Sequence, residues 1–227
     1  MSDPKAPLKT TSRSSRPPLH QQSDTKPSYH HGDLRNALIA AGLESLEVDG
    51  PERLSLRAVA AKVGVSHAAP AHHFGSVKGL RTALATVGFS LFAEAMQEAR
   101  VAAGPEPAEQ MRAVGASYLA FARSRPALFS LMFTEALLDW SDTSLQEAGM
   151  RARAELSVIC QPAADRLGLT DVAMREALER LIWSCAHGVA HLTIGGQFKS
   201  GSGANAEVLD LSTLIFGGQL RLLVPER

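Results

Sequence analysis

The sequence predicts an all-α protein, with a three-helix head followed by a larger helical body. After residue 32, apolar residues recur with helical spacing, and no segment alternates apolar and polar residues as a half-buried strand would. Residues 54–74 contain two short helical segments separated by Gly64. Glycine and proline together, as in Gly50-Pro51 and Gly104-Pro105, mark the ends of other helical segments. These observations favour a chain of helices joined by short turns.

Length and charge indicate how the chain is divided. It has 227 residues and no net charge, which fits one large or two small domains. We predict an arm of residues 1–27, a head of residues 28–81 and a body of residues 82–227. The arm carries a net charge of +3, the head +1 and the body −4. An anionic partner is therefore expected at the N-terminal side.

The arm is expected to be disordered, because it places five prolines among polar residues and can bury little apolar area. Its cationic residues are expected to be solvated, with contact to phosphates or a minor groove as the alternative; they are Lys5, Lys9, Arg13, Arg16 and Lys26. The chain has no apolar run long enough to span a bilayer, and the N-terminus has no apolar signal core. Cys160 and Cys185 are expected to be buried free thiols. We therefore expect a cytoplasmic protein without a membrane partner.

The first head helix is predicted over Asp33–Val48. One face carries apolar or small residues with helical spacing, and Asp49-Gly50-Pro51 is a strong stop signal. The residues of that face are Ile39, Gly42, Leu43 and Leu46.

The next two helices form a hairpin over residues 54–74. Ser55 is the predicted N-cap of the first, and Gly64 the predicted left-handed residue that ends it. Val65 follows as a buried residue, and Ser66 is the predicted N-cap of the second helix, which makes Pro70 its fourth residue. The buried face of the first helix is predicted to be Leu56, Val59, Ala60 and Val63. A helix as small as the second one can approach DNA closely, and a helix-turn-helix places it in the major groove; a plain scaffold hairpin is the alternative.

The body is predicted to contain long helices bounded by capping residues and by glycine or proline. Ser76 caps a helix that ends near Ala102, and Pro126 opens a short helix after one over residues 107–123. A long segment runs from Asp142-Thr143 to Leu167, with a kink or break expected at Pro162. Thr170 is the predicted cap of a helix that reaches residues 195–196. A loop at residues 201–203 and a last helix over Asp210–Leu223 complete the prediction.

Three short helices followed by a long one, at this spacing, resemble the N-terminal DNA-binding domain of the TetR family of transcriptional repressors. Two strings, residues 29–35 (YHHGDLR) and 183–188 (WSCAHG), resemble the TetR subgroup whose C-terminal domain is named WHG. The resemblance implies a homodimer that binds a roughly palindromic double-stranded DNA operator and is released by a small apolar or amphipathic effector. It also implies dimerisation through the last two long helices, although intrachain core fits the same apolar pattern. The residues concerned are Leu178, Leu181, Ile182, Cys185, Val189 and Leu192 in one helix and Leu211, Leu214, Ile215, Gly218 and Leu222 in the other.

The predicted DNA-binding residues lie in and beside the second hairpin helix. His67 is the best candidate for a base contact, and Arg57 is a candidate for a phosphate contact. The full set is Arg57, Ser66, His67, Ala68, Ala69, Ala71, His72, His73 and Lys78. Two positions depart from the family: Ala71 stands where a Tyr is usual, and Val77 where a Lys is usual. A dimeric ligand-binding protein with weak or lost DNA readout is therefore the alternative function.

The effector is expected to bind in the body, where bulky aromatic side chains are available to line a pocket. The predicted ligand-binding residues are Phe121, Phe129, Phe133, Trp140, Trp183 and His187. His187 and His191 are one helical turn apart, a spacing that can chelate a metal, but no third ligand is evident and a polar wall or helix-contact role is favoured. No nucleophile motif or phosphate-binding glycine loop is present. We expect no cofactor, no metal and no enzymatic activity.

Overall fold

The structure, a computed structural model, describes residues 31–197, with side chains from residue 34 onward. The described part is helical throughout, which confirms the all-α fold. The helices are α1 (His31–Asp49), α2 (Leu56–Val63), α3 (Ala68–Phe74), α4 (Val77–Ala102), α5 (Pro107–Ser124), α6 (Pro126–Met132), α7 (Thr143–Arg166) and α8 (Val172–Ile194), with a 3₁₀ turn at Glu135–Leu137. The predicted arm, the 201–203 loop and the last helix over residues 210–223 lie outside the described residues.

The head consists of α1, α2 and α3, packed on the start of α4. The Ser55 hydroxyl accepts a hydrogen bond from the Ala58 N–H at 3.1 Å, which is the predicted N-cap. Gly64 ends α2 with φ = +75°, the left-handed conformation that glycine adopts without a steric penalty. Val59 is fully buried, whereas Val65 is half-buried. The local signals therefore placed α2 correctly.

The predicted start of α3 is wrong by one residue. His67, not Ser66, is the N-cap residue, and no side chain caps this helix. The Ser66 carbonyl accepts from the Ala69 N–H at 3.0 Å. Pro70 is consequently the third helical residue and is buried. Because the first N–H groups of a helix have no intrahelical partner, proline at this position forfeits no helical hydrogen bond.

The body is organised around α4, which packs against α5, α6 and α7. Gly88 on α4 allows α6 to approach closely, since a Cβ at this position would lie 2.8 Å from Met132 Sδ. A continuous apolar core runs from the head through α4 into the body. The predicted boundary between residues 81 and 82 falls inside α4, so a single helix passes from head to body.

The caps of the later helices confirm some of the predicted boundaries and correct others. Asp142 caps α7 by accepting from the Leu145 N–H at 2.9 Å. Asp171, not Thr170, caps α8, by accepting from the Met174 N–H at 3.1 Å. Pro162 does not break α7, which continues to Arg166. Among the helices of residues 31–197, none is long and apolar enough to cross a membrane.

Candidate nucleic-acid interface and ligand cavity

The outward surface of α3 is small and polar. His67, Ala68, Ala71 and His72 are exposed, whereas Ala69 is half-buried and Pro70 is buried against the head. Pro70 thus anchors the helix from its inner side. The outer side presents two imidazoles with methyl groups between them, a surface that can hydrogen-bond base edges or phosphates and contact thymine methyl groups.

Cationic and hydroxyl side chains flank α3 on the same head. Arg57 in the first turn of α2, Ser66 in the turn before α3 and Lys78 in the first turn of α4 are all exposed. Such groups contact phosphates in protein–DNA interfaces and position the reading helix. These three residues lie on α2, in the turn before α3 and on α4, and both of these helices contact α3.

The last turn of α3 is less exposed to solvent than the outer side of the helix. The His73 side chain is half-buried, and its ring lies 6.2 Å from that of Phe74. The guanidinium of Arg35 stacks over Phe74 at 5.6 Å from the ring centroid. Arg35, from α1, is thus a further exposed cation beside α3. Only the tertiary packing of α1 on α3 places it there, so the local sequence pattern did not indicate it.

A cavity of about 560 Å³ opens in the body between α4, the segment after α6, α7 and α8. Its wall is mostly apolar and contains five aromatic side chains, a composition typical of small-molecule sites. The lining residues are Phe89, Phe92, Phe133, Glu135, Trp140, Gln146, Gly149, Met150, Ala152, Arg153, Leu156, Glu179 and Trp183.

Three of the predicted ligand-binding residues, Phe133, Trp140 and Trp183, line this cavity. Phe121 and Phe129 do not, which corrects their predicted placement. Phe129 is fully buried among aromatic rings, and Phe121 is 7% exposed with its ring 5.0 Å from that of Phe92. Both belong to the hydrophobic core.

Two lining residues that the sequence analysis missed, Phe89 and Phe92, come from α4. They lie three residues apart, which puts them on the same face of the helix. Their contacts show which way this face points: Phe89 packs against Trp140 at 6.2 Å, and Phe92 against Tyr118 at 4.7 Å. The spacing of these two phenylalanines on one helix face is the sequence signal that could have identified them as lining residues.

His187 lies behind the cavity wall in a hydrogen-bonded cluster. Its Nδ1 is 2.9 Å from the Tyr118 hydroxyl, and Trp183 Nε1 donates to that same hydroxyl at 3.3 Å. Because the indole only donates, the Tyr118 proton is left to bond His187, whose Nδ1 then accepts. Burial, together with His191 nearby, lowers the pKa of His187 to about 4, which keeps the ring neutral at pH 7. His187 therefore connects α8 to α5 through this hydrogen bond, which is the helix-contact role expected from the sequence.

The rings of His187 and His191 meet edge to face, with centroids 4.5 Å apart. Among the described side chains, no group of three or more His, Cys, Asp or Glu residues is arranged to hold a metal ion. The Nδ1 of His187 is already engaged by Tyr118.

Two polar contacts hold the segments that form the cavity, one from the head and one from the start of α4, on which the head packs. The Glu47 carboxylate, near the end of α1, accepts from the backbone N–H groups of Ala127 and Leu128 at 3.2 and 2.9 Å. It thereby satisfies two free N–H groups in the first turn of α6, where a negative charge is favoured. Phe133, immediately after α6, lines the cavity.

The second contact involves Thr82, which is 3% exposed on α4. Its hydroxyl accepts from the Asp139 N–H at 2.9 Å and donates to the Lys78 carbonyl at 2.9 Å. Asp139 directly precedes the cavity residue Trp140, and Lys78 lies in the first turn of α4, beside α3. The Glu47 contact therefore ties α6 to the head, and the Thr82 contact ties the segment before Trp140 to the first turns of α4, which packs on the head.

The apolar stripe predicted on α8 is divided between two environments. Leu178 and Ile182 are buried within the chain, whereas Leu181 and Leu192 are 54% and 43% exposed. Cys185 and Val189 are half-buried. The intrachain alternative thus accounts for part of the stripe, and the exposed part remains available to another surface.

Comparison with known proteins extends the resemblance noted from sequence. The family model described as "Tetracyclin repressor-like, C-terminal domain" matches residues 111–213. This segment covers most of the helical body and includes the residue 183–188 string. None of the curated proteins compared with the chain matches it.

Solved structures match across head and body together. A protein with unknown function from Rhodococcus sp. RHA1 is 30% identical, with 85% of this chain and 98% of that chain covered and a TM-score of 0.71. A TetR-like transcriptional regulator from the same organism is 18% identical, over 82% and 95% of the two chains, with a TM-score of 0.56. The TetR family transcriptional regulator PfmR from Thermus thermophilus is 18% identical, over 84% and 99%, with a TM-score of 0.53. Residues 111–213 therefore match a tetracyclin repressor-like C-terminal domain, and the chain as a whole shares the fold of TetR family transcriptional regulators.

Proposed function

We propose that this protein is a ligand-responsive repressor, which binds a roughly palindromic DNA operator as a homodimer and leaves it when a small molecule enters the body. The observation that carries the proposal is the pair of contacts from Glu47 and Thr82, which tie the segment bearing Phe133 to the head and the segment bearing Trp140 to the start of α4, on which the head packs. An exposed reading surface on α3 and a cavity in the body are thereby parts of one packed unit. The proposed domains are the arm of residues 1–27, the head of residues 28–81 and the body of residues 82–227.

The head reads DNA through α3 in this account. His67 contacts a base edge, Ala68 and Ala71 allow close approach, and Arg57 and Lys78 contact phosphates on either side. Ser66, Ala69, His72 and His73 complete the predicted contact set. Phosphate contacts provide affinity for any sequence, whereas base contacts provide discrimination.

Release follows if the effector binds the DNA-free conformation more tightly than the DNA-bound one. A molecule that displaces Phe133 or Trp140 changes the position of the α6 segment or of Asp139. Either change is transmitted to the head through Glu47, through Thr82 and through α4 itself. The proposed route therefore requires no long chain of intermediate residues.

A homodimer is proposed because one head per chain needs a second half-site for a specific operator. Twofold symmetry of the protein imposes twofold symmetry on the DNA, with half-site centres separated by about one helical turn or its multiples, roughly 34–36 Å each. The exposed Leu181 and Leu192 on α8 support an interface there. We place the protein in the cytoplasm, with its DNA, and assign it no catalytic reaction.

A second candidate function is a dimeric ligand sensor whose DNA readout has weakened. Ala71 favours it, since the family's usual Tyr would add a hydroxyl at an exposed position of α3 that here carries only a methyl group. Binding to the DNA that flanks the protein's own gene distinguishes the two functions.

Substitutions of His67 and Arg57 test the proposed reading head. His67→Ala is expected to weaken operator binding by about 1–3 kcal/mol and to relax the preference at one base pair, because a base contact discriminates. Arg57→Ala should weaken binding to operator and random DNA by similar factors and reduce the dependence of affinity on salt. Fluorescence anisotropy with labelled operator and scrambled duplexes, at several salt concentrations, measures both effects.

Arg123→Ala is the control, because it removes an exposed cation from α5, in the body. It should leave both affinities unchanged. If His67→Ala retains full affinity and full sequence preference, His67 does not read the operator and the placement of α3 in the groove is wrong.

A further inference from the structure

We infer that the effector is a lipophilic cation: an apolar body that carries one positively charged amine or quaternary ammonium group. This inference rests on the proposed function, because it takes the cavity of the body as the effector site. Two features of the wall carry it, the aromatic composition and the arrangement of its charges.

The aromatic side chains surround the cavity from three sides. Phe89 comes from α4, Phe133 and Trp140 come from the segments after α6, and Trp183 comes from α8. Phe133 packs edge-on against Phe89 at 5.4 Å and lies 6.5 Å from Trp183. Trp140 and Trp183 keep 37% and 38% of their surfaces exposed, so they retain area for a ligand. Aromatic faces attract cations and do not attract carboxylates.

Among the described residues, the only cation on the wall is already neutralised. The lining residues include two carboxylates, Glu135 and Glu179, and one cation, Arg153. Arg153 Nε donates to Glu179 Oε1 at 3.1 Å, and the Ser157 hydroxyl donates to Glu179 Oε2 at 2.8 Å. Both oxygens of Glu179 are thus satisfied, and an anionic ligand would have to compete with Glu179 for Arg153.

Glu135 supplies the charge without a partner. Within the described part of the chain its carboxylate makes no hydrogen bond and no ion pair, and it lines the cavity next to the Phe133–Trp140 segment. A cationic group beside Glu135 and these aromatic rings gains Coulombic and cation–π attraction together. A carboxylate at the same place is repelled by Glu135. The charge of the wall therefore selects cations, while its apolar area accommodates the rest of the ligand.

Three probes with the same ten-carbon chain separate the charge of the ligand from its apolar body: decyltrimethylammonium, decanoate and 1-decanol. The only two tryptophans of the chain, Trp140 and Trp183, both line the cavity, so intrinsic fluorescence reports occupancy directly. Titrations use the full chain, with every probe below its micelle-forming concentration. Decyltrimethylammonium is expected to bind at least about tenfold more tightly than decanoate, with 1-decanol between them.

Charge-neutralising variants identify the group responsible. Glu135→Gln should weaken decyltrimethylammonium binding about three- to fivefold and leave 1-decanol binding unchanged. Glu179→Gln should strengthen decanoate binding, since it leaves Arg153 unpaired beside the cavity. Glu147→Gln is the matched control, because Glu147 is an exposed carboxylate on α7 that does not line the cavity. It should leave all three affinities unchanged.

The outcomes distinguish the inference from the function on which it rests. If decanoate binds as tightly as the cation, or if Glu135→Gln and Glu147→Gln have equal effects, the inference is overturned and the cavity still stands as an effector site. If none of the three probes changes the tryptophan fluorescence, the cavity is not an apolar ligand site, and the effector part of the proposed function fails with the inference.

Discussion

Gly79→Ala is expected to destabilise the protein by about 3 kcal/mol or more and to abolish operator binding. A Cβ on Gly79 would lie 2.0 Å from the carbonyl oxygen of Phe74 and 3.1 Å from its carbonyl carbon. Both atoms belong to the backbone at the end of α3, so no side-chain rotation relieves the clash. The end of α3 and the start of α4 must separate, which displaces the reading helix. Among substitutions of a small residue by a larger one, those that force the backbone to move cause the larger losses of stability.

The free energy of unfolding by urea and the anisotropy of labelled operator measure the two effects of Gly79→Ala. Gly115→Ala is the matched control, because Gly115 also lies in a helix but a Cβ there meets no atom within 4 Å. Alanine in place of a helical glycine that has open space around it should stabilise the protein by roughly 0.5–1 kcal/mol. Equal stability and equal operator affinity for Gly79→Ala and Gly115→Ala would show that α3 and α4 do not pack as described.

Phe129→Ala is expected to cost about 3–5 kcal/mol of folding stability, because it empties a fully buried aromatic site. The Phe129 ring packs on several others, including those of Tyr118 at 5.7 Å, Phe133 at 5.0 Å and His187 at 5.4 Å. Its loss removes contacts to α5, to α8 and to the segment after α6 together. Phe129 thus stabilises the wall of the cavity from behind without forming part of it.

Trp140→Ala provides the contrast, since Trp140 lines the cavity and is 37% exposed. It should cost less stability than Phe129→Ala, roughly 2–3 kcal/mol, because about a third of its surface stays exposed, and it should weaken ligand binding more than operator binding. Urea unfolding and fluorescence titration with decyltrimethylammonium, using the remaining Trp183, measure the two quantities. A larger stability loss for Trp140→Ala than for Phe129→Ala would contradict the assignment of Phe129 to the core and of Trp140 to the cavity wall.

Several helix starts could be predicted from a single capping residue. Ser55, Ser76 and Asp142 each accept a hydrogen bond from the N–H three residues ahead, a contact that depends on local sequence only. Two predicted starts were wrong by one residue. Asp171 rather than Thr170 caps α8, and α3 starts after His67 rather than after Ser66. A shift of one residue depends on tertiary packing, such as the burial of Pro70, which a local pattern does not contain.

The cavity was predictable only in part for the same reason. Residue type indicated that aromatic side chains would line it, but it did not separate Phe129 in the core from Phe133 on the wall. The Glu47 cap of α6 joins residues 80 positions apart, and no pattern of nearby residues indicates it. Contacts of this kind arise when two helices pack, and they are the contacts that connect the cavity to the head.

A footprint of the purified chain on the DNA flanking its own gene tests the central claim most directly. The account predicts two protected half-sites related by a dyad, one helical turn or a small number of turns apart, at protein concentrations that leave random DNA unprotected. Protection without dyad symmetry would contradict the dimeric operator complex. Absence of any protection beyond that of random DNA would contradict the repressor and leave the ligand sensor as the function of this protein.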